Sequence, residues 1–410
     1  MKRRRIAIPV LVAPLLIASL GVVALPQSAA PAVAADACTP GVMAQIPGPP
    51  TAFAAMGIPE PGLRATGAGV TVAIIDSGVD GTRPQLIDAF APGSRSLIDD
   101  GERADGLGDP QGHGTALAGI IAARADGGSG AVGIAPDARI ISLRVFRGDD
   151  EESVRRGFGP DAGRIAAAIR TATDLGARVI TVALSDDVDT PALREATAEA
   201  TARGALVVAS AGNRSTTENT SDSPRYPAAY PGALAVTAVD TAGIATDASI
   251  HGPHVDVAAP GQNVLTTSTG GGDCVYAADA PSSSFATAYA AGAAALLAEA
   301  YPDEGPEGWA YRLEATGDRP DPDARNDLTG WGAIRPAAAL DLRPDATTRG
   351  PLSPFADTSD AARSTPSTRV TATPSDDGDS APVTAVAVVA AGLVALCGLG
   401  AVLRSRRKRG

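Results

Sequence analysis

The stretch Val72-Ala73-Ile74-Ile75-Asp76-Ser77-Gly78 is an apolar run that delivers a carboxylate at its end. A short apolar run closed by glycine reads as a strand, and an open parallel sheet forms its sites outside the carboxyl ends of such strands. Two further segments follow in chain order. Gly112-His113-Gly114-Thr115 opens an Ala/Ile-rich helical pattern, and Ser282-Ser283-Ser284-Phe285-Ala286 opens an Ala-rich one. Taken singly, each has a bland reading: strands often end on a polar residue, and serines before an apolar helix are ordinary N-caps. His113 is one of only three histidines, and glycine on both sides lets the backbone approach something closely. Together they supply what an activated serine needs, a base within reach and an acid to orient that base.

Outward from these segments, apolar runs alternate with helical patterns. Residues 70–76, 139–145, 178–184, 205–210 and 233–239 read as strands, and 113–124, 161–175, 191–203 and 284–300 as helices. Strands alternating with helices predict βαβ units and a mostly parallel sheet covered on both faces, an α/β fold. Residues 69–342 form one such domain. Residues 35–68, rich in Pro, Gly and Ala, predict an N-terminal extension wrapping the domain, and the Pro/Ser/Thr-rich stretch 343–382 predicts a disordered linker.

The two ends read as targeting segments. Lys2-Arg3-Arg4-Arg5, the apolar stretch from Ile6 to Leu25 and Ala32-Val33-Ala34 predict a signal peptide over 1–34, an uncleaved anchor being the alternative. Residues 383–403 lack any charge and predict a transmembrane helix. The basic tail 404–410 after it belongs on the cytoplasmic side, which leaves the domain outside the cell membrane on a single-pass anchor. The chain carries 34 basic and 46 acidic residues, a net charge of −12. Nine of the basic residues lie in the two ends, so residues 35–403 carry −21, which argues against a nucleic-acid partner. Of three cysteines, Cys397 falls in the apolar span. Cys38 and Cys274 remain to pair in an oxidising compartment, two free thiols being the alternative. No cofactor or metal is called for.

The order Asp76, His113, Ser284 resembles that of subtilisin-type proteases, as opposed to chymotrypsin or α/β-hydrolase order. The resemblance extends to Gly67-Ala68-Gly69-Val70, Arg83-Pro84-Gln85-Leu86, Val132-Gly133-Ile134-Ala135-Pro136-Asp137-Ala138 and Val257-Ala258-Ala259-Pro260-Gly261. With the ends of the chain, it is similar to the mycosins, membrane-anchored subtilisin-like proteases associated with actinobacterial type VII secretion. The resemblance implies a subtilisin-like three-layer fold and a serine endopeptidase with Asp76, His113 and Ser284 as its triad. Leu206-Val207-Val208-Ala209 runs into Ser210-Ala211-Gly212-Asn213. By resemblance Asn213 supplies an oxyanion-hole donor, a group whose loss costs about 2.7–4 kcal/mol in a subtilisin.

Two departures stand out. The family reads Gly-Thr-Ser at the nucleophile, where this chain has Ser282-Ser283-Ser284, and relatives carry Pro where it has Ala288. If position 282 requires positive φ, its serine is strained by about 1 kcal/mol or more. Arg225 falls, by spacing after Asn213, at the base of the pocket for the residue before the cut, where a guanidinium favours acidic or polar side chains. The expected partners are protein or peptide substrates, the membrane, and type VII secretion components. The alternative is a structural subunit of the secretion complex with a weak or unused active site.

Overall fold

A computed structural model of the chain describes residue 38 and residues 44–59, 62–214, 221–345 and 347–355. The proposed signal peptide, membrane helix, basic tail and most of the proposed linker therefore lie outside the described residues. Among the described residues, no helix is long and apolar enough to cross a membrane. In chain order the elements are α1 (Thr51–Ala55), β1 (Thr71–Asp76), β2 (Arg95–Ser96), α2 (His113–Ala122), β3 (Arg139–Arg144), α3 (Glu151–Arg155), α4 (Ala162–Asp174), β4 (Val179–Val182), α5 (Pro191–Ala202), β5 (Leu206–Ser210), β6 (Ala233–Val239), β7 (Val257–Pro260), β8 (Val264–Thr267), β9 (Asp273–Tyr276), α6 (Ser283–Ala300), α7 (Gly305–Ala315) and α8 (Pro336–Asp341).

Seven strands form one sheet in the order β2-β3-β1-β4-β5-β6-β7, every neighbouring pair parallel. The chain runs from β1 outward to β2 and β3, then returns to the other side of β1 with β4. This reversal opens a crevice at the carboxyl ends of β1 and β4, where doubly wound sheets bind ligands. The strands read as unbroken apolar runs because both faces are covered. Val72 and Ile74 join the core containing α2 and α6, while Ala73 and Ile75 join the core containing α4 and α5. The period-2 pleat thus sends alternate residues of one strand into two separate cores.

Helix α6 is the spine of its layer, with 16 of its 18 residues buried. Its run of alanines and Gly292 lets neighbours approach closely. A Cβ at Gly292 would lie 1.8 Å from the Ile134 Cγ2. A helix apolar all round belongs inside, and this one has little lateral freedom.

The extension is more ordered than a bare arm. It carries α1, whose following residue Met56 is buried, and it is tied down near Cys274. Cys38 and Cys274 form a disulfide with Cα atoms 5.5 Å apart, closing 236 residues of sequence separation. In the chain-entropy account a loop of that length contributes about 5.5 kcal/mol. Beside it, the Asp273 amide donates to the Ala44 carbonyl at 2.7 Å and the Ile46 amide to Asp273 Oδ2 at 2.8 Å. The antiparallel hairpin of β8 and β9 in turn grips α2: Thr266 Oγ1 donates to the Ala116 carbonyl at 2.8 Å and Thr267 Oγ1 to that of Thr115 at 3.1 Å. Order also continues beyond residue 342. Arg349 pairs with Asp321 and Asp323, and the Phe355 ring meets Tyr311 edge-on at 5.8 Å.

Candidate active site

Asp76 ends β1 and is fully buried. His113 is the first residue of α2, and its Nδ1 lies 2.9 Å from Asp76 Oδ1. A carboxylate only accepts, so Nδ1 carries the proton and Nε2 is left as the basic nitrogen. Two glycines make this approach possible. Gly112 has φ of +87°, turning the chain sharply into the helix. At Gly114 a Cβ would lie 2.0 Å from the Gly78 carbonyl oxygen. Any larger residue would push the helix start away from the strand end.

Asp109 clamps this junction. Its Oδ1 accepts from Ser77 Oγ and from the Gly112 amide, both at 2.8 Å. Its Oδ2 accepts from the Thr115 amide at 2.8 Å and from Thr115 Oγ1 at 2.6 Å. Burial raises its carboxyl above the ordinary range, outweighing these donors, which pull the other way. Behind the junction, Arg144 at the end of β3 donates its Nε to the Ser77 carbonyl at 3.0 Å and one Nη to Asp100 at 2.7 Å. Both partners of this ion pair are almost wholly buried, and the bond to Arg144 holds the Asp100 carboxyl far below its usual range.

Ser284 lies in the first turn of α6, with its Oγ donating to the Ala183 carbonyl at 3.0 Å. No hydrogen bond joins it to His113 in this arrangement, although both side chains line one cleft of about 270 Å³. The His113 and Phe285 rings are tilted against each other at 5.7 Å. Asn213 follows β5, and its Oδ1 accepts from the Ser283 amide at 2.8 Å and from Ser283 Oγ at 2.9 Å. An amide N–H only donates, which fixes the orientation of the Asn213 side chain. Because Ser283 Oγ spends its proton on Asn213, Ser210 Oγ is the donor in the 2.6 Å contact between the two hydroxyls. Ser210 Oγ in turn accepts from the Gly212 amide at 3.2 Å.

Ser282, the N-cap of α6, has φ −120° and ψ 127°. This is extended backbone open to any residue, so the strain that a left-handed conformation would impose is not present. Arg225 lines the cleft and is 1% exposed. Its guanidinium donates to the Ser221, Ser223 and Pro224 carbonyls, and burial lowers its pKa while Asp187 and Asp222 oppose that shift. Asp149, Asp161 and Asp186 line the same cleft. Among the described residues no group of His, Cys, Asp or Glu is arranged to hold a metal ion. His251 and His254 stand outside the cleft. His254 Nε2 meets the Ala211 carbonyl at 3.2 Å, beneath the Asn213 loop.

The Subtilase family model matches residues 67–332. The chain belongs to the subtilase family. It is 35% identical to Mycosin-1 of Mycobacterium tuberculosis over 404 residues, 88% of this chain and 86% of that protein. It is 32% identical to Mycosin-1 of Mycolicibacterium smegmatis, covering 84% of this chain and 82% of the relative. The crystal structure of MycP1 from the ESX-1 type VII secretion system superposes with TM-score 0.64 at 30% identity, over 77% of this chain and 92% of that one. This subtilase is a mycosin-like serine endopeptidase with a mostly parallel α/β fold.

Sequence reasoning passed over Asp109, Ser77, Ser210 and Ser283, the residues that hold the others in place. Asp109 lies three residues ahead of the Gly112 N-cap, outside the usual capping position, and reaches the Gly112 and Thr115 amides only through the fold of the loop. The electrostatics at His113 generate a prediction. Burial draws its pKa down, but the charge and hydrogen bond of Asp76, with the charges of Asp109 and Asp149, outweigh burial and raise it. Nitrogen-detected NMR of this subtilase is expected to show His113 titrating above the ordinary value of about 6.5. The neutral imidazole is the basic form, so a reaction that uses His113 as its base should slow as pH drops through that point. Asp149→Asn removes one negative charge and should move both the titration and the acid limb to lower pH. An unchanged limb would remove Asp149 from this account.

Proposed function

We propose that the chain is a membrane-tethered, extracytoplasmic endopeptidase that processes proteins of a type VII secretion system, with Asp76, His113 and Ser284 as triad and Asn213 as an oxyanion donor. The observation that carries this reading is the 2.9 Å bond between Asp76 and His113 Nδ1, at a cleft that Ser284 and Asn213 also line. Catalytic hydrogen bonds are often loose before substrate binds. Rotation of Ser284 about χ1 transfers its Oγ from the Ala183 carbonyl toward His113 Nε2. There the imidazole takes the hydroxyl proton as Oγ attacks a peptide carbonyl, and Asp76 stabilises the imidazolium. Asn213 Nδ2 donates to the oxygen of the tetrahedral intermediate. Collapse of the intermediate returns the proton to the leaving amine, and water then repeats the sequence on the acyl-enzyme.

The relatives' names supply the biological context. MycP1 is described as belonging to the ESX-1 type VII secretion system, and the apolar span at 383–403 supplies the anchor. The second reading, a structural subunit with an idle site, is favoured by the Ser284 hydroxyl being bonded to Ala183. Buried Arg225 at the cleft lining favours acidic or polar side chains before the cut, while Asp149, Asp161 and Asp186 act on the neighbouring substrate positions.

The detergent-solubilised full chain should be labelled by a fluorophosphonate probe, and Ser284→Ala should abolish labelling. Asn213→Ala should lower turnover by about 10²–10³-fold. A wild-type chain that takes no label supports the structural-subunit reading instead. Deleting residues 383–410 should release activity from the membrane fraction, and retention there would rule out the tether. Peptides with Glu before the cut should be cleaved faster than Ala or Leu peptides, with the preference lost in Arg225→Gln. Equal rates on all three would remove Arg225 from specificity.

A further inference from the structure

The Ser282 side chain meets two N–H donors at the entry to α6: Asn213, the proposed oxyanion donor, and the Ser284 amide, a first-turn helix N–H of the kind that lacks an internal partner and can take an anion. The Ser284 amide donates to Ser282 Oγ at 3.4 Å, and Asn213 Nδ2 donates to the same oxygen at 3.5 Å. An acceptor shared by those two donors stands where the oxygen of a tetrahedral intermediate would stand. The backbone gives the hydroxyl no reason to be elsewhere, since Ser282 is in ordinary extended conformation and its amide is held by the Gly261 carbonyl at 2.9 Å. Nor does α6 depend on this hydroxyl alone for its cap, because Asn213 Oδ1 already takes the Ser283 amide. The same resting arrangement holds the Ser284 hydroxyl on Ala183. Donors and nucleophile are thus both satisfied internally.

We propose that the Ser282 hydroxyl is a built-in competitor for the oxyanion donors and limits the rate of the site. The proposal rests on the reading of Ser284 as nucleophile and Asn213 as donor, and it adds the Ser284 amide as the second donor. A neutral hydroxyl is a weaker acceptor than an alkoxide, so substrate can displace it, but only as charge develops. Competition that is felt in the transition state and not on binding lowers the chemical step and leaves ground-state affinity nearly unchanged. Ser282 is on this account a rate-setting residue without a part in bond making. Displacement requires only rotation about its χ1, and no covalent step is added to acyl transfer. Both contacts are long for hydrogen bonds, which makes the restraint modest.

The test uses the solubilised full chain and a fluorophosphonate, whose phosphoryl oxygen takes the same donors. Ser282→Gly and Ser282→Ala should be labelled about three- to tenfold faster than wild type, with the gain in the maximal inactivation rate and little change in KI. Ser282→Thr, which retains a hydroxyl, should keep the slow rate. In an Asn213→Ala background, removing the hydroxyl should give a smaller gain, since only one donor remains to be freed. Thermal unfolding of each variant separates a fold defect from a rate effect. Folded Ser282→Gly and Ser282→Ala proteins labelled at the wild-type rate overturn the proposal. Slower labelling also overturns it, because the hydroxyl would then be an extra donor to the oxyanion. If wild type takes label and Ser284→Ala does not, the underlying reading stands whatever Ser282 does. Absence of label in wild type and Ser282→Gly alike overturns both.

Discussion

The bond on which the site depends is the clamp of Asp109 across the junction between β1 and α2. One carboxylate takes the amide of the Gly112 N-cap, the amide and hydroxyl of Thr115 in the first turn of α2, and the hydroxyl of Ser77 at the strand end. The first-turn amides of a helix have no partners within it, and here they are spent on fixing the helix to the strand rather than on solvent. Gly114 allows the two backbones to meet, and the clamp keeps them there. The geometry of Asp76 and His113 is therefore set mostly by backbone packing. Neither side chain has to search for the other.

The opposite wall of the cleft obeys the same logic with neutral groups. Ser210, Ser283 and Asn213 form a relay in which every proton has an assigned direction, so the Asn213 amide has one orientation. The relay is anchored on α6, which is buried almost from end to end and cannot tilt. On the α2 side, the hairpin of β8 and β9 holds the helix while the disulfide and Asp273 hold the extension to the hairpin. The extension thus reaches the helix of His113 in two short mechanical steps. Groups carried on rigid elements of this kind keep their spacing to within fractions of an ångström, as acyl-transfer chemistry requires.

Much of this was legible in the sequence, for identifiable reasons. The five long apolar runs became strands and the four strong helical patterns became helices, because both-face burial and Ala-rich periodicity leave little ambiguity. Helices α1, α3, α7 and α8 were missed, and the strands missed were those with weak local signals. Strand β2 is two residues long, β7 ends on Pro260 before a glycine and reads as a loop, and the glycines between β8 and β9 obscured a hairpin. Asp76, His113, Ser284 and Asn213 could be proposed from the sequence because acyl-transfer chemistry would constrain their types and order, and the structure sets Asp76 against His113 and lines one cleft with His113, Ser284 and Asn213. Asp109 and Ser283 could not be read in this way, since an aspartate before Pro110 reads as a turn and a serine inside a serine run reads as a cap. Conformation at Ser282 was beyond reach as well. Sequence names the residue at a helix entry, but whether φ there is positive depends on the loop that feeds it.

On the proposed reading of Ser284 as nucleophile, Ser282 exposes a conflict inherent in placing such a group in the first turn of a helix. The amides there are good anion donors because the helix leaves them unpaired, and the helix is most stable when something pairs them. A residue at the N-cap with a side-chain oxygen favours the helix, and one without an oxygen favours the anion. In this chain the conflict is partly resolved by dividing the donors. Asn213 Oδ1 caps the Ser283 amide from outside the helix, which leaves the Ser284 amide as the one that both the Ser282 hydroxyl and a substrate oxyanion can claim. Capping by Asn213 also points Nδ2 of that residue toward the same place. The side chain that stabilises the start of α6 is thereby the side chain that aims the second donor, so the helix keeps a cap even when the Ser282 hydroxyl gives way.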